Sequence, residues 1–240
     1  LTDGDVYTAD AVIAASGASA RTLGVPGEDE LMGYGLSTCA TCDGAFHQGN
    51  DVLVVGGGDS AMEEALVLAK FAESVTVVHR RETLRASDIM ARRARDHEAI
   101  SFRWNTELEA IHGTQSEGVT GATLVSHPDG HPLERAAEGA AGDAETVDVQ
   151  GVFYAIGHTP NTDFLADTAV ELDPSGYVRT ELDASGRMTT ETGVDGVFAA
   201  GDVADPTYRQ AITAAGTGSM AALDAEAYRD SQVATAPPLQ

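Results

Sequence analysis

The stretch Val52–Ala65, VLVVGGGDSAMEEA, is where the fold is decided. Four consecutive apolar residues read as a strand buried on both faces, three glycines end it, and a helix-forming run follows. Gly56, Gly58 and Ala61 fit the spacing G-x-G-x-x-G/A, in which a strand turns tightly into a helix whose first N–H groups and positive dipole end face a pyrophosphate. Asp59 and Ser60 open that helix, and Asp59 reads as its N-cap. On its own the motif fits a plain tight turn equally well, so the end of the next strand has to choose between the two.

That next strand, SVTVVHRR (Ser74–Arg81), runs into HRRETLR. In a dinucleotide-binding fold the residue closing the second strand meets the adenosine ribose, and an acid there selects NAD. Here His79, Arg80, Arg81 and Arg85 put positive charge where the 2′-phosphate of NADPH sits, and arginine bonds phosphate bidentately. Six of the 14 basic residues fall between Arg80 and Arg95, against 38 acidic residues overall. Arg92, Arg93 and Arg95 read as a solvated helix face pairing with carboxylates.

Further out, DAVIAASG (Asp10–Gly17), GVFYAIG (Gly151–Gly157) and GVFAAGD (Gly196–Asp202) are also short strands ended by glycine or polar turns, while 60–71 and 86–97 are patterned as helices. The result is an α/β architecture. HPDGHPLERAAEGAAGDAE (His127–Glu145) reads as a surface hairpin excursion, and the tail QVATAPPLQ as disordered. The chain begins at Leu1 inside GDVYTADAVIAASG, which reads as a strand pair, and further N-terminal sequence is expected before it. A net charge of −24 with a single lysine, Lys70, argues against nonspecific nucleic-acid binding and suits a surface kept hydrated in high salt. No apolar run approaches the ~20 residues that span a bilayer, so a cytoplasmic protein is expected.

The only two cysteines lie in CATCDGAF (Cys39–Phe46). A Cys-x-x-Cys pair is either half of a zinc site or a redox dithiol. Structural zinc takes four ligands; His47 offers a third and no fourth is evident, so ligand number favours the redox reading. Such chemistry needs an acid to move the proton. Asp43 is placed for that, although a turn or cap carboxylate is the plainer role. In the last third, VFAAGDV ends on Gly201 and Asp202 and leads into YRQAITAAGTGSMAALDAEAY. Asp202 suits flavin ribityl hydroxyls, and the helix start near Arg209–Ala211 suits negative charge on a reduced flavin. A buried helix of small residues is the plainer alternative.

VIAASGASARTLGVPGE, STCATCDGAF, VVGGGDSAMEEALVL, VVHRRETLRA, FYAIGHTPNT and VFAAGDVADPTYRQAIT, in this order and spacing, resemble the bacterial-type, low-molecular-weight thioredoxin reductases over about residues 10–229. The resemblance implies two dinucleotide-binding, Rossmann-like, three-layer domains: a discontinuous FAD domain (1–19 and 155–240), here incomplete, and an NADPH domain (20–154) carrying the cysteines. It implies NADPH at Gly56, Gly58, Asp59, Ser60, Ala61, His79, Arg80, Arg81, Arg85 and Gly157, and FAD at Gly201, Asp202, Arg209, Gln210 and Ala211. Cys42, nearer the flavin, would receive electrons, Asp43 would donate the proton, and Cys39 would attack the disulfide of thioredoxin. A homodimer, and a swivel about hinges near Ala18–Arg21 and Ala155–His158, are further implications. Members of the family open on a first glycine fingerprint for FAD that this sequence does not contain, so about its first third is expected to be missing. The flavoprotein of alkyl hydroperoxide reductase shares the fold but reads CPHCDG, and a flavin-free NADPH-binding fragment with a regulatory disulfide is the non-enzymatic alternative.

Overall fold

The computed structural model describes residue 4 and residues 6–235. In chain order these form β1 (Val12–Ala14), β2 (Ala18–Ala20), α1 (Glu28–Leu31), β3 (Leu36–Ser37), α2 (Ala40–Asp43), β4 (Asp51–Gly56), α3 (Asp59–Leu68), β5 (Ser74–His79) and α4 (Asp88–Arg95). There follow β6 (Ile100–Trp104), β7 (Thr106–Thr114), β8 (Gly118–Ser126), α5 (Pro132–Ala137), β9 (Asp143–Val147), β10 (Gly151–Ala155), β11 (His158–Pro160), β12 (Val197–Ala199) and α6 (Ala211–Thr235). The chain divides into two compact units, Ala20–Gly157 and Leu1–Ser19 with His158–Gln240.

The central unit is built on a parallel sheet in the order β3-β10-β4-β5-β6. The unbroken apolar run of β4 is explained by burial on both faces. Val52 and Val54 pack with Ala61, Ala65 and Leu68 of α3, with Ala94 of α4, and with Val75, Val77 and Phe153. Leu53 and Val55 point the other way, against Leu108 and Ile111 of β7 and Val119 and Leu124 of β8. Strand pleating sends alternate side chains to opposite faces, so one continuous hydrophobic segment serves two cores. From β4 the chain winds outward through β5 to β6, then returns to β10 on the other side. The carboxyl end of β4 therefore lies where strand order reverses, the usual place for a ligand in open α/β sheets.

The excursion at 127–145 is a hairpin connection between β8 and β9 that carries a short helix of its own. His127 to Gly130 turn, Pro132 opens α5 at a position where its missing N–H costs nothing, and Asp143–Val147 adds β9 as third strand to an antiparallel β7-β8-β9 sheet. In the other unit β1 and β12 pair in parallel, Val12 to Val197 and Ala14 to Ala199. The α6 helix covers them with Ala221 and Tyr228 against Phe198. Residues 4 and 6–10 contain no strand, so the strand pair expected at the start begins only at Val12. The helix runs through Thr235, well into the tail read as disordered, and the rest of that tail lies outside the described residues. Among the described residues no helix is long and apolar enough to cross a membrane.

Candidate active site

Two glycines of the turn are required by close approach, and the third leaves space. A side chain on Gly56, whose φ is 154°, would lie 2.4 Å from the Ala155 carbonyl of neighbouring β10 and 2.9 Å from Ala61. A Cβ on Gly57 would come within 2.2 Å of the His79 ring. Gly58, the residue before α3, has nothing within 4 Å of such a Cβ, which leaves open space over the helix N-terminus. The loop after β5 folds back on this turn, since the N–H groups of Arg85 and Ala86 donate to the Gly57 carbonyl at 2.7 and 3.1 Å.

Gly56, Gly58, Asp59, Ser60, His79, Arg80, Arg81, Arg85 and Gly157 all line one cleft of about 1080 Å³, and Ala61 is buried beneath it. Its far wall comes from β7 and α5, through Glu107, Leu108, Pro132 and Leu133. Arg80, Arg81 and Arg85 are exposed and make no ion pair among the described residues. In so acidic a chain, three unpaired guanidinium groups at one cleft mouth suit a multiply charged anion. By contrast, Arg95 stacks over Trp104 at 5.8 Å and Arg93 approaches the Met90 sulfur, so these two arginines of α4 meet soft neighbours rather than carboxylates.

Two expectations change. Gly58, not Asp59, is the N-cap of α3. The Asp59 carboxylate instead accepts from the N–H and the hydroxyl of Ser87, both at 2.8 Å, and so ties the cleft to the start of α4. His79 does not add charge to the arginine group. It is buried under Gly57, bonded to the Thr83 carbonyl at 2.9 Å, and burial, seconded by Arg81 and Arg80, holds its pKa below 6.5. His47 is lowered too, chiefly by burial against the pull of Asp43, with its ring set edge-on to Phe153 at 5.1 Å.

A pH dependence follows from these two histidines. Below a pH of about 6.5 the unfolded chain takes up protons that the folded chain refuses, so stability is complete above that value and falls as pH drops from there towards the lowered folded values. Urea midpoints are expected to decline between pH 7.5 and 5.5, and His79→Asn or His47→Gln to flatten the decline. Equal slopes in all three proteins would remove this explanation.

Cys39 and Cys42 are joined as a disulfide. Cys39 caps α2, and its sulfur accepts the Cys42 N–H at 3.1 Å, which places a helix-end donor on the sulfur that would become a thiolate. Cys42 is exposed and Cys39 half-buried. Asp43 accepts the Ser37 hydroxyl at 2.6 Å, while the same oxygen takes the Cys39 N–H at 3.0 Å. Glu64 of α3 accepts the Ala40 N–H. Neither Ser37 nor Glu64 was expected from the sequence; an SxC spacing was the one local sign of the former. Among the described residues no cluster of His, Cys, Asp and Glu is arranged to hold a metal ion.

In the other unit Gly201, with φ 75°, follows β12 and donates its N–H to Thr217 of α6 at 2.9 Å. Arg209 is held in a left-handed conformation, φ 47°, by Asp205, whose carboxylate accepts the N–H groups of Thr207, Tyr208 and Arg209. Burial works against the Asp205 charge, but these donors and the Arg209 charge outweigh it and lower its pKa. Gln210 donates its N–H to Thr213 at 3.3 Å as α6 begins at Ala211. Asp202 and Arg209 both act electrostatically on His158, whose pKa is lowered mainly by burial. Asp205 is a further residue of this site not expected from the sequence, although an Asp opening a turn is an Asx-turn signal.

Residues 1–218 match the pyridine nucleotide-disulphide oxidoreductase family. A thioredoxin reductase of Mycolicibacterium smegmatis is 52% identical over 92% of this chain and 65% of its own length, so the chain spans less than two thirds of that relative. A protein of Pseudomonas fluorescens named glucosaminate ammonia-lyase is 47% identical over 95% of this chain and 67% of its own. Among solved structures, thioredoxin reductase from Giardia duodenalis superposes with a TM-score of 0.81 at 39% identity, covering 94% of this chain and 68% of that one. Since relatives of such similar identity carry different names, the chemistry has to be read from the disulfide and the arginine-lined cleft.

Proposed function

The chain belongs to the pyridine nucleotide-disulphide oxidoreductase family, among the bacterial-type thioredoxin reductases, and from that premise we propose that it carries out the NADPH-dependent, FAD-dependent reduction of the disulfide in thioredoxin. The observation that carries this reading is the Cys39–Cys42 disulfide capping α2, next to a helix, α3, whose own N-terminus opens into the arginine-lined cleft. When bound, NADPH supplies a hydride and FAD conveys its two electrons to a disulfide.

The residues present suit both groups. Gly58 leaves the space a pyrophosphate needs over α3, and Arg80, Arg81 and Arg85 offer unpaired charge for a 2′-phosphate. Ala20–Gly157 is on this reading the NADPH domain. The other unit contributes to FAD binding through Gly201, Asp202, Arg209, Gln210 and Ala211, and the Asp202 carboxylate accepts no hydrogen bond among the described residues. With the pair reduced, the Cys39 thiolate attacks a sulfur of the partner disulfide and one partner thiolate leaves. Cys42 then attacks Cys39, re-forming the internal disulfide and releasing the second partner thiol. Asp43, held by Ser37, moves the proton at the Cys42 sulfur. Phe46, 81% exposed four residues beyond Cys42, offers an apolar contact for a protein substrate. A homodimer, a cytoplasmic setting and tolerance of high salt belong to the same proposal.

Anaerobic visible spectra of the purified protein, supplied with FAD, test it. Flavin absorbance that bleaches on adding NADPH, and returns on adding oxidised thioredoxin, is the expected result. Flavin that binds but ignores NADPH would overturn the proposal.

A further inference from the structure

The α3 helix reaches both halves of this chemistry: its first turn lines the nucleotide cleft, and five residues on from Asp59, Glu64 accepts the Ala40 N–H, the first N–H of the helix that Cys39 caps. A carboxylate there ties α3 to the residue after Cys39 and brings a negative charge to the amino end of α2, the end whose Cys42 N–H reaches the Cys39 sulfur. We propose that Glu64 is a positioning residue for the dithiol, holding α2 in place and keeping the reduced Cys39 from becoming too acidic to attack well. The inference rests on the redox reading of the cysteine pair given above.

Opposing helix-end donors and neighbouring carboxylates pull the thiol in opposite directions. Among the described residues, the charged or titratable groups on and beside α2 are Asp43 on α2 itself, His47 just after it, and Glu64 on α3, with Glu63 its neighbour in sequence. Asp43 is bonded to Ser37, and His47 is buried with its pKa below 6.5. Glu63 is exposed, and among the described residues Glu64 is the carboxylate that accepts an N–H of α2. The benefit is kinetic. A thiolate made more acidic is more abundant but intrinsically less nucleophilic, and attack is fastest when the thiol's pKa lies near the working pH.

Glu64→Gln separates charge from geometry, because the amide oxygen still accepts the Ala40 N–H. In the reduced protein, iodoacetamide alkylation of Cys39 is followed from pH 5 to 10, with each cysteine resolved by peptide mass. The midpoint is expected to move towards acid by about half a unit to one unit in Glu64→Gln, and the high-pH plateau rate to fall about two-fold to three-fold. Glu64→Asp, which keeps a carboxylate on α3, is expected to stay close to the parent midpoint, and Glu63→Gln to leave it in place. A purely structural role would slow or unfold the variants without moving midpoint and plateau together. A Glu64→Gln profile that superimposes on the parent's, or an equal shift in Glu63→Gln, overturns the inference. Should Glu64→Gln not fold, a Glu64→Asp midpoint displaced towards acid as far as predicted for Gln does the same. Cysteines that cannot be cycled between disulfide and dithiol would instead overturn the functional reading beneath it.

Discussion

Replacing Arg80 and Arg81 together by alanine is expected to weaken NADPH about a hundred-fold while changing NADH by no more than about three-fold, since each charge-assisted bond to phosphate contributes roughly 1.5–3 kcal/mol and NADH has no 2′-phosphate to lose. Both side chains are exposed at the cleft mouth and make no ion pair among the described residues. Their removal therefore leaves no carboxylate stranded in the fold, and the effect should read as binding rather than instability. Exposure also means screening. The preference for NADPH should shrink as salt rises towards 1 M, where the Debye length is only ~3 Å. Fluorescence titration with each nucleotide at low and high salt measures this, and equal losses for the two nucleotides would refute the phosphate pocket. Arg85 is the less informative target, because its backbone N–H also holds the Gly57 carbonyl and the loop would feel any shift there.

How much of this was legible in the sequence depends on how far apart the partners stand. The β4 turn could be read because strand, glycines and helix are consecutive, and Arg80 and Arg81 because they follow directly on the next strand. His79 was misjudged as a charged neighbour. What makes it neutral is the missing Cβ of Gly57, 22 positions earlier, which lets the ring sink beneath the turn. Glu28 shows the same limit more strongly. Its buried carboxylate accepts the N–H groups of Leu23 and Gly24, close in sequence, but also the Tyr154 hydroxyl at 2.9 Å from 126 positions away. Burial, followed by that bond and the Glu28 charge, raises the Tyr154 pKa. No local pattern announces such a pair, although it anchors the segment that brings Leu23 to the cleft. The excursion at 127–145 is the surface hairpin its composition suggests, but its helix and its third strand were not legible, for a related reason. Its Gly, Pro and Ala content describes how the segment turns, whereas β9 exists because β8 offers it an edge to pair with.

The cysteine pair gives the second large effect, and it separates two roles that exposure alone would assign wrongly. Cys42 is the more exposed residue, yet the helix-end N–H points at the Cys39 sulfur, and the thiolate is the species that attacks. Cys42→Ser is expected to abolish NADPH-driven disulfide reduction while leaving NADPH affinity within about two-fold, because the serine oxygen cannot close a disulfide and the side chain does not line the cleft. The surviving Cys39 can still open a partner disulfide. With no second thiol to displace the partner, the reaction stops at a covalent mixed disulfide, which a non-reducing gel and intact mass will show as one partner per chain. Cys39→Ser should be equally inactive but form far less of that adduct, since among the described residues the helix-end donor sits on the Cys39 sulfur and none on that of Cys42. An adduct that forms with Cys39→Ser and not with Cys42→Ser would exchange the two roles while keeping the chemistry. Full-rate turnover in either variant would mean that this disulfide lies off the electron path, and the proposed function would fall with it.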